Sequence, residues 1–331
     1  MNPAPPSSRP AMGVALVIGS CLSLPFGAAV AAQLFPALGS WGVTALRVTI
    51  AAVVVMLAVR PLVHRWDRRQ WTAAVLFGVS LACMNGFFYA AIDRIPLGPA
   101  VAIEFLGPLV LAAVLTRRVV DAVWVGVAMV GMALLGIDGI VGAEPLDPLG
   151  VVFVLIAAVF WVLYIRMSAR VGAVIPGNGG LAMALVVAAV LLLPFGVPAA
   201  ITVAGDPSLL LLAALTALLS SVIPYTFELA ALRRIPQRVF GILLSLEPVF
   251  ATLAGFLLLG QQVTPLRVAA VVLVVAASVG TTLAIRGRRK ADERPAEAGA
   301  GSGHGSAARG NGSASEDAPP PLTGSLPVVP N

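Results

Sequence analysis

The sequence predicts an all-α polytopic membrane protein with ten transmembrane helices, arranged as two inverted repeats of five helices. Only 11% of the residues are charged and 59% are hydrophobic, whereas soluble domains carry about a quarter charged residues. Apolar runs of about 18 to 22 residues, the length that crosses a hydrocarbon core, recur along the chain. A long segment of the first half also recurs in the second half. The runs are apolar on all faces instead of alternating, which excludes a β-barrel.

The repeat is clearest in residues 90–108 and 230–248. These stretches read AAIDRIPLGPAVAIEFLGP and AALRRIPQRVFGILLSLEP, and a shift of 140 residues superposes them without a gap. The Arg-Ile-Pro sequences of the two loops then coincide, and Pro108 falls on Pro248. Each copy is a short loop followed by an apolar helix with one glutamate, Glu104 in the first and Glu247 in the second.

Four segments are predicted along the chain. Residues 1–11 form a polar lead, 12–140 the first five-helix repeat, 149–286 the second, and 287–331 a Gly/Ser/Ala/Pro-rich tail that we expect to be disordered. The Ala-rich end of the first span could imitate a signal-peptide cleavage site, but Gly13-Val14 recurs at Gly150-Val151 in the sixth span. The predicted spans are Met12–Gln33, Trp41–Val59, Trp71–Ile92, Leu97–Leu115, Val120–Ile137, Leu149–Ile165, Gly180–Val197, Leu209–Leu232, Val239–Leu259 and Leu266–Ile285.

Arginines mark alternate loops. Among the odd-numbered loops only the third carries one, Arg94, and Arg267 lies just inside the tenth span. Positive residues resist translocation, so the even loops and both termini are predicted to be cytoplasmic. Because five spans is an odd number, the second copy is inverted, an arrangement typical of secondary transporters. The even loops carry Arg60, Arg65, Arg68 and Arg69; Arg117 and Arg118; Arg166 and Arg170; and Arg233, Arg234 and Arg238.

Two intramembrane glutamates, Glu104 and Glu247, are the first candidates for a site. A charge in lipid costs roughly 2.5–3.5 kcal/mol on insertion scales, so each needs a reason to be there. Pro108 has no N–H and therefore leaves the carbonyl of Glu104 free. The glutamates lie about one helical turn apart on a similar face of related helices. The alternative is that both are protonated acids that join neighbouring helices.

The eighth span adds a polar face. Ser221, Tyr225 and Glu228 are spaced i, i+4 and i+7, and Pro224 should free the carbonyl of Ser220 beside them. Under the repeat shift, Tyr225 corresponds to Asn85 in the third span. We therefore expect a cavity between the two halves, lined by Asn85, Tyr89, Glu104, Tyr225, Glu228 and Glu247.

Other interpretations of these polar residues stay open. Arg47 in the second span either snorkels outward or binds a carboxylate. Glu228 could merely pair with Arg233 or Arg234. Interhelical hydrogen bonds alone would account for Asn85, Tyr89 and Tyr225. Trp161 and Tyr164, near the end of the sixth span, are predicted to belong to an interfacial aromatic belt.

Enzyme chemistry is not predicted. The sequence has no HExxH, GxSxG or Walker motif, and its histidines are His64 in a loop and His304 in the tail. Cys21 and Cys83 lie in apolar runs without metal-ligand spacing, so no metal or other cofactor is expected. The basic residues form short clusters between apolar runs, which favours membrane orientation over nucleic-acid binding.

Several motifs resemble those of the EamA family of the drug/metabolite transporter superfamily, most closely its bacterial threonine/homoserine exporter branch. The similarity extends over about residues 12–286. It rests on GVTALR (Gly42–Arg47), GVSLACMNGFFY (Gly78–Tyr89), PLGPAVAIEFLGPL (Pro96–Leu109), Arg117-Arg118 with Val120-Asp121, Trp124, SSVIPYTFELAAL (Ser220–Leu232) and RIPQRVFGILLSLEPVFA (Arg234–Ala251).

The resemblance implies export of small amino acids or related metabolites across the plasma membrane. The hypothesis is proton antiport, in which Glu104 and Glu247 bind the proton or the substrate's amino group and Arg47 binds its carboxylate. Family members often carry an acid at the position of Gln261, so any coupling role of that position is in doubt here. The alternatives are an exporter of another solute and, in a different class, a membrane sensor or scaffold whose tail recruits a partner. The sequence leaves open whether the protein is a monomer or a homodimer.

Overall fold

The computed structural model describes residues 8–116, 119–141, 146–232, 234–235, 240 and 243–280. These residues are helical apart from short turns, and these ranges contain no β-strand. The predicted tail at 287–331 lies outside them. The helices are α1 (Ser8–Ala32), α2 (Phe35–Val59), α3 (Arg68–Ile92), α4 (Leu97–Glu104), α5 (Leu106–Thr116), α6 (Val119–Val141), α7 (Pro148–Val174), α8 (Gly179–Ala204), α9 (Pro207–Ala217), α10 (Ile223–Leu232), α11 (Glu247–Leu259) and α12 (Pro265–Gly280).

Six helical segments are long and apolar enough to cross a membrane, in the part of the chain that the structure describes. They are Ala11–Ala32, Phe35–Val59, Arg68–Ile92, Pro148–Val174, Gly179–Ala204 and Pro207–Glu228. Shorter apolar helices occupy four other predicted spans. In the fourth predicted span, the helix is interrupted at Phe105, three residues before Pro108. The proline has no N–H for the carbonyl of Glu104, and this loss weakens the helix there.

Aspartates fix where three helices begin. The side chain of Asp67 accepts a hydrogen bond from the backbone of Gln70, whose side chain in turn accepts one from Asp67, which completes a capping box before α3. Asp147 and Asp206 cap α7 and α9 through Leu149 and Ser208. Hydrogen bonds from the backbone of Leu149 and from the Arg94 guanidinium hold the pKa of Asp147 below its usual range. The caps place the turns at the ends of the bundle.

Two predicted loops are helical instead. The segment from Pro198 to Ser208 was predicted to be a loop, but α8 continues through Pro194 and Pro198 to Ala204. The prolines are tolerated in so apolar a helix because α2 and α3 pack against it. Likewise, Arg166 and Arg170 lie within α7 rather than in a loop after it.

The position of Asp138 also differs from the prediction. It was expected to open an acidic loop, but it lies inside α6 and is 2% exposed. Its carboxylate forms an ion pair with Arg267 of α12 at 2.5 Å and accepts a hydrogen bond from Thr264. The charge is therefore neutralised by a residue that is distant in sequence.

Helices of the first half pack mainly on helices of the second half. The largest interfaces join α3 to α7 and α2 to α8, and α1 packs on α10 and α11. Helix α4 contacts α11, and Gly131 of α6 lies against the backbone of Ala270 in α12. Small residues allow these close approaches, as is usual between membrane helices. The Ala-rich end of α1 is buried in the main core, so α1 is an integral helix of the bundle.

Two glycines make equivalent contacts in the two halves. Gly13 of α1 lies against Arg234 and Ile235, and a Cβ there would clash with the isoleucine side chain. Gly150 of α7 lies in the same way against Arg94 and Ile95. Each Arg-Ile-Pro loop therefore rests on a helix that belongs to the other half.

Candidate functional site

A cavity of about 630 Å³ lies between the helices of the two halves. Helices α1–α5, α7, α10, α11 and α12 all contribute to its lining. The polar residues that line it are Arg47, Asn85, Tyr89, Glu104, Tyr164, Ser168, Ser220, Glu228, Glu247 and Ser278.

The cavity brings together six of the seven residues predicted to form a site. They are Arg47, Asn85, Tyr89, Glu104, Glu228 and Glu247. The seventh, Tyr225, lies in α10, but its side chain is outside the described part of the structure. Whether these residues bind a substrate or a proton remains a prediction.

Arg47 is at the centre of a buried hydrogen-bonded cluster. Its Nη1 donates to the carbonyl of Ser220 at 3.0 Å and to the hydroxyl of Ser221 at 3.1 Å. Its Nη2 donates to Oδ1 of Asn85, and the guanidinium lies 4.7 Å from the ring centre of Tyr89. The side chain is 2% exposed, so the prediction that it might snorkel outward is wrong.

The positive charge of Arg47 has no acidic partner among the described residues. The ion pairs in that part of the chain are Arg94–Asp147 and Arg267–Asp138. The Nε atom of Arg47 is buried and has no hydrogen-bond acceptor there. Neutral groups therefore position this guanidinium and leave its charge uncompensated, an arrangement suited to a ligand carboxylate.

A π-helical turn at Leu218–Val222 supplies two of the three acceptors for Arg47. Pro224 follows two residues later and cannot donate a backbone hydrogen bond, so the carbonyl of Ser220 was predicted to be free. The structure confirms that this carbonyl accepts from outside its own helix. Single π-helical turns of this kind occur frequently at functional sites.

Asn85 and Tyr89 connect helices as well as lining the cavity. The Nδ2 of Asn85 donates to the carbonyl of Leu81, while its Oδ1 accepts from Arg47. The hydroxyl of Tyr89 donates to Oγ of Ser220 across 3.4 Å. The interhelical hydrogen bonds that sequence reasoning considered are therefore present for both residues.

Two of the three cavity glutamates have no bonding partner among the described residues. Glu104 ends α4 and Glu247 begins α11, where it is 7% exposed. Neither has a hydrogen-bond or ion-pair partner among the described residues. Neither glutamate therefore forms a hydrogen-bonded link between helices in this part of the structure.

The third glutamate, Glu228, accepts a hydrogen bond at 2.8 Å from the hydroxyl of Ser20 in α1. The predicted alternative, a pair with Arg234, is wrong because that guanidinium donates to the carbonyl of Ala230. Arg233 lies outside the described residues. The contact with Ser20 links the first helix of the chain to the acid of the eighth span.

The rest of the cavity is apolar and partly aromatic. The rings of Phe105 and Trp161 meet edge to face at 4.9 Å. Trp161 and Tyr164, predicted to be belt residues, instead face the cavity together with Ser168. Their i, i+3 and i+7 spacing puts them on one helical face, and that spacing could have identified them.

Gln261 has a structural role. Its Oε1 accepts a hydrogen bond from the backbone N–H of Leu97 at 3.1 Å. The first N–H groups of a helix have no acceptor within the helix, so this bond caps α4 from the turn after α11. No cluster of His, Cys, Asp and Glu that could hold a metal ion occurs in the described ranges.

Comparisons with known proteins agree with this architecture. The model of the EamA-like transporter family matches residues 148–283. The threonine/homoserine exporter RhtA of Escherichia coli (strain K12) is 36% identical over 283 residues, which are 85% of this chain and 94% of that protein. RhtA of Salmonella typhimurium (strain LT2) is 37% identical over 267 residues, 80% of this chain and 89% of that protein.

A solved structure, described only as the crystal structure of a protein, has the same fold. It superposes with a TM-score of 0.54 at 21% identity and covers 85% of this chain and 98% of that one. The family resemblance seen in the sequence motifs is confirmed by the relatives above. The chain is a multi-pass protein of the cell membrane and belongs to the EamA-like transporter family.

Proposed function

We propose that the protein is a secondary active exporter of small amino acids such as threonine and homoserine, driven by proton antiport, and not an enzyme. Two similar proteins are named threonine/homoserine exporters. The observation that carries the proposal is the charge pattern of the cavity. It holds one arginine without an acidic partner and two glutamates without a basic partner, within the described residues.

This pattern is complementary to an amino-acid zwitterion. Arg47 offers a charge-assisted hydrogen bond to the substrate carboxylate. Glu104 and Glu247 offer a counter-charge for its ammonium group or for a proton. Buried charges are costly in a membrane unless an opposite charge lies beside them, so ammonium and protons would alternate at these acids. That exchange is the basis of antiport.

The architecture that we propose is ten transmembrane helices in two inverted repeats. The equivalent contacts of Gly13 and Gly150 with the Arg-Ile-Pro loops support it. The pairing of α4 with α11, and of α6 with α12, is what a two-fold axis between the halves would produce. The arginine-rich loops favour an orientation with the even loops and both termini in the cytoplasm.

The direct test is efflux of labelled homoserine from loaded proteoliposomes under an imposed pH gradient. The unmodified protein should release homoserine faster when protons can enter in exchange. Glu104→Gln and Glu247→Gln should each abolish the pH-dependent part, because a neutral amide cannot exchange a proton or balance an ammonium group. Ser208→Ala, an exposed residue in the first turn of α9, is the surface control. If both glutamine variants keep the response, the proposed roles of these acids are wrong.

A second candidate is export of a larger amphipathic metabolite. The cavity volume of about 630 Å³ falls in the range that holds drug-sized ligands, and the Phe105–Trp161 pair would suit an apolar group. Counterflow assays with a panel of amino acids and bulkier zwitterions separate the two candidates. Exchange of threonine and homoserine in preference to the bulkier compounds supports the first.

A further inference from the structure

The two copies of the repeat differ sharply at one pair of equivalent interfaces. The packing of α3 on α7 corresponds to the packing of α10 on α1, and each interface joins a helix of the first half to a helix of the second. Under the 140-residue shift, Phe88 corresponds to Glu228, and Gly107 corresponds to Glu247. The shift that places Gly13 on Gly150 also places Ser20 on Ala157 and Cys21 on Ala158.

At these positions the α3–α7 version of the interface is apolar. The ring of Phe87 stacks on Phe160 with centroids 6.4 Å apart. Ala157 and Ala158 are buried, and Gly107 lies directly against the backbone of Ala158. Packing alone explains these positions, and the hydrogen bond that Gln70 of α3 donates to the carbonyl of Val174 lies at the far end of α7.

The α1–α10 version carries hydrogen-bonding and acidic groups at the same positions. Ser20 donates to Glu228 at 2.8 Å, and the thiol of Cys21 lies 3.6 Å from the carbonyl of Leu243. Glu247 lines the same cavity as Glu228 and Glu104, and its helix α11 packs on α1. It is also more than nine-tenths buried, lines the cavity and has no bonding partner among the described residues.

From this difference we infer that Glu228 and Glu247, positioned by Ser20, form the binding site of the coupling proton, and that Glu104 is left for the substrate's ammonium group. The inference rests on the proposed proton antiport. Two carboxylates that line one cavity repel each other and titrate as a coupled pair, and a single bound proton relieves their repulsion. An ammonium group at Glu104, in the same cavity, would replace that positive charge. The proton then leaves a carboxyl group of the pair for water as the substrate binds.

Other charged groups around the pair fit this division. Cys21 of α1 is close to both acids, and Glu104 and Arg47 line the same cavity. Two tyrosines, Tyr164 of α7 and Tyr89 of α3, are further titratable residues that line the cavity. Arg234, at the end of α10, is exposed and bonded to its own helix. Among the described residues no cation neutralises the pair, so protons are the natural counter-charge.

Proton release on substrate binding tests this assignment. Purified protein in weakly buffered solution with a pH indicator is mixed with homoserine, and homoserine affinity is measured in parallel across the acidic and neutral range. The unmodified protein should release protons and bind homoserine more weakly as the pH falls. Glu228→Gln and Glu247→Gln should lose the proton release and the pH dependence of the affinity.

Ser20→Ala keeps both acids and therefore carries the test if either glutamine variant fails to fold. Without the donated hydrogen bond the ionised form of Glu228 is less favoured, so the weakening of homoserine binding should begin at higher pH. Ser23→Ala is the matched control, since this neighbour donates to the carbonyl of Leu219 instead of to an acid. It should leave the pH profile unchanged.

Two results would overturn the inference, and they are distinguishable. If Glu228→Gln and Glu247→Gln still release protons with homoserine, or if Ser20→Ala behaves as Ser23→Ala does, the pair is not the coupling site while antiport itself stands. If the unmodified protein binds homoserine without releasing protons, the proposed antiport fails and the proton site fails with it.

Discussion

Two arginines are buried among the described residues, and their surroundings are opposite. Arg267 and Arg47 are each 2% exposed. Arg267 forms an ion pair with Asp138 and also donates to the carbonyl of Gln262. Arg47 is held by the neutral oxygens of Ser220, Ser221 and Asn85.

The difference separates a structural charge from one that is available to a ligand. A buried guanidinium is costly unless an anion compensates it. At Arg267 the chain supplies that anion and joins α6 to α12. At Arg47 the chain supplies orientation without an anion, next to a cavity large enough for a solute. The counter-charge missing at Arg47 is therefore expected to come from the substrate.

Breaking the buried ion pair between Asp138 and Arg267 should have the largest effect on stability. Asp138→Asn leaves the charge of Arg267 buried without an anion, and removal of one partner of a buried pair costs about 3–5 kcal/mol. The free energy of unfolding in detergent, measured with denaturant, should fall by that amount. A double variant, Asp138→Leu with Arg267→Met, removes both charges and should recover most of the loss. Equal stabilities of Asp138→Asn and the unmodified protein would contradict the structural role.

Removal of the positive charge of Arg47 should affect homoserine binding more than the stability of the protein. Arg47→Gln loses the contact with the substrate carboxylate, a change that costs about 2–5 kcal/mol for a buried charged hydrogen bond. Homoserine affinity by calorimetry should fall about 30-fold or more. The unfolding free energy should change less than in Asp138→Asn, because no ion pair is broken. Unchanged affinity would mean that the carboxylate binds elsewhere.

Making Arg47 resemble Arg267 sharpens the comparison. Asn85→Asp supplies an internal carboxylate, which should raise the melting temperature and lower homoserine affinity about tenfold or more by competing with the substrate. Asn85→Ala is the control, because it removes the same hydrogen bonds without adding a charge and should lower the melting temperature. A rise in both stability and affinity for Asn85→Asp would argue against competition at Arg47.

Removing the exposed ion pair between Arg94 and Asp147 should have the smallest effect on stability. Arg94 and Asp147 form an ion pair at 3.0 Å with both side chains partly exposed, where solvent screens the attraction. The pKa of Asp147 is lowered, so its contribution to stability is present at neutral pH and is lost as the pH falls through that lowered value. Asp147→Asn should melt slightly below the unmodified protein at neutral pH and equally in acid, since asparagine also caps helices. A larger difference in melting temperature in acid than at neutral pH would contradict this role of Asp147.

Sequence reasoning was most successful where chemistry is local. The carbonyl freed by Pro224 could be predicted because the missing N–H belongs to a residue four positions away in the same helix. The glutamates stood out because a charge is rare in an apolar run. The six long apolar helices followed from hydropathy in the same way.

Contacts between distant residues could not be predicted. Asp138 looked like a loop residue because its partner Arg267 is 129 positions away. The acceptors of Arg47 come from α3 and from the π-helical turn 173 positions away, and the link between Ser20 and Glu228 spans 208 positions. A single sequence contains no signal for such pairs, since each depends on how the two halves meet.

The most direct measurement is a structure of the protein with homoserine bound, determined in lipid nanodiscs at neutral pH. The account predicts the ligand in the cavity between the halves, with its carboxylate within hydrogen-bonding distance of Arg47 and its ammonium group beside Glu104. A homoserine molecule that binds outside this cavity, or one whose carboxylate lies away from Arg47, would contradict it.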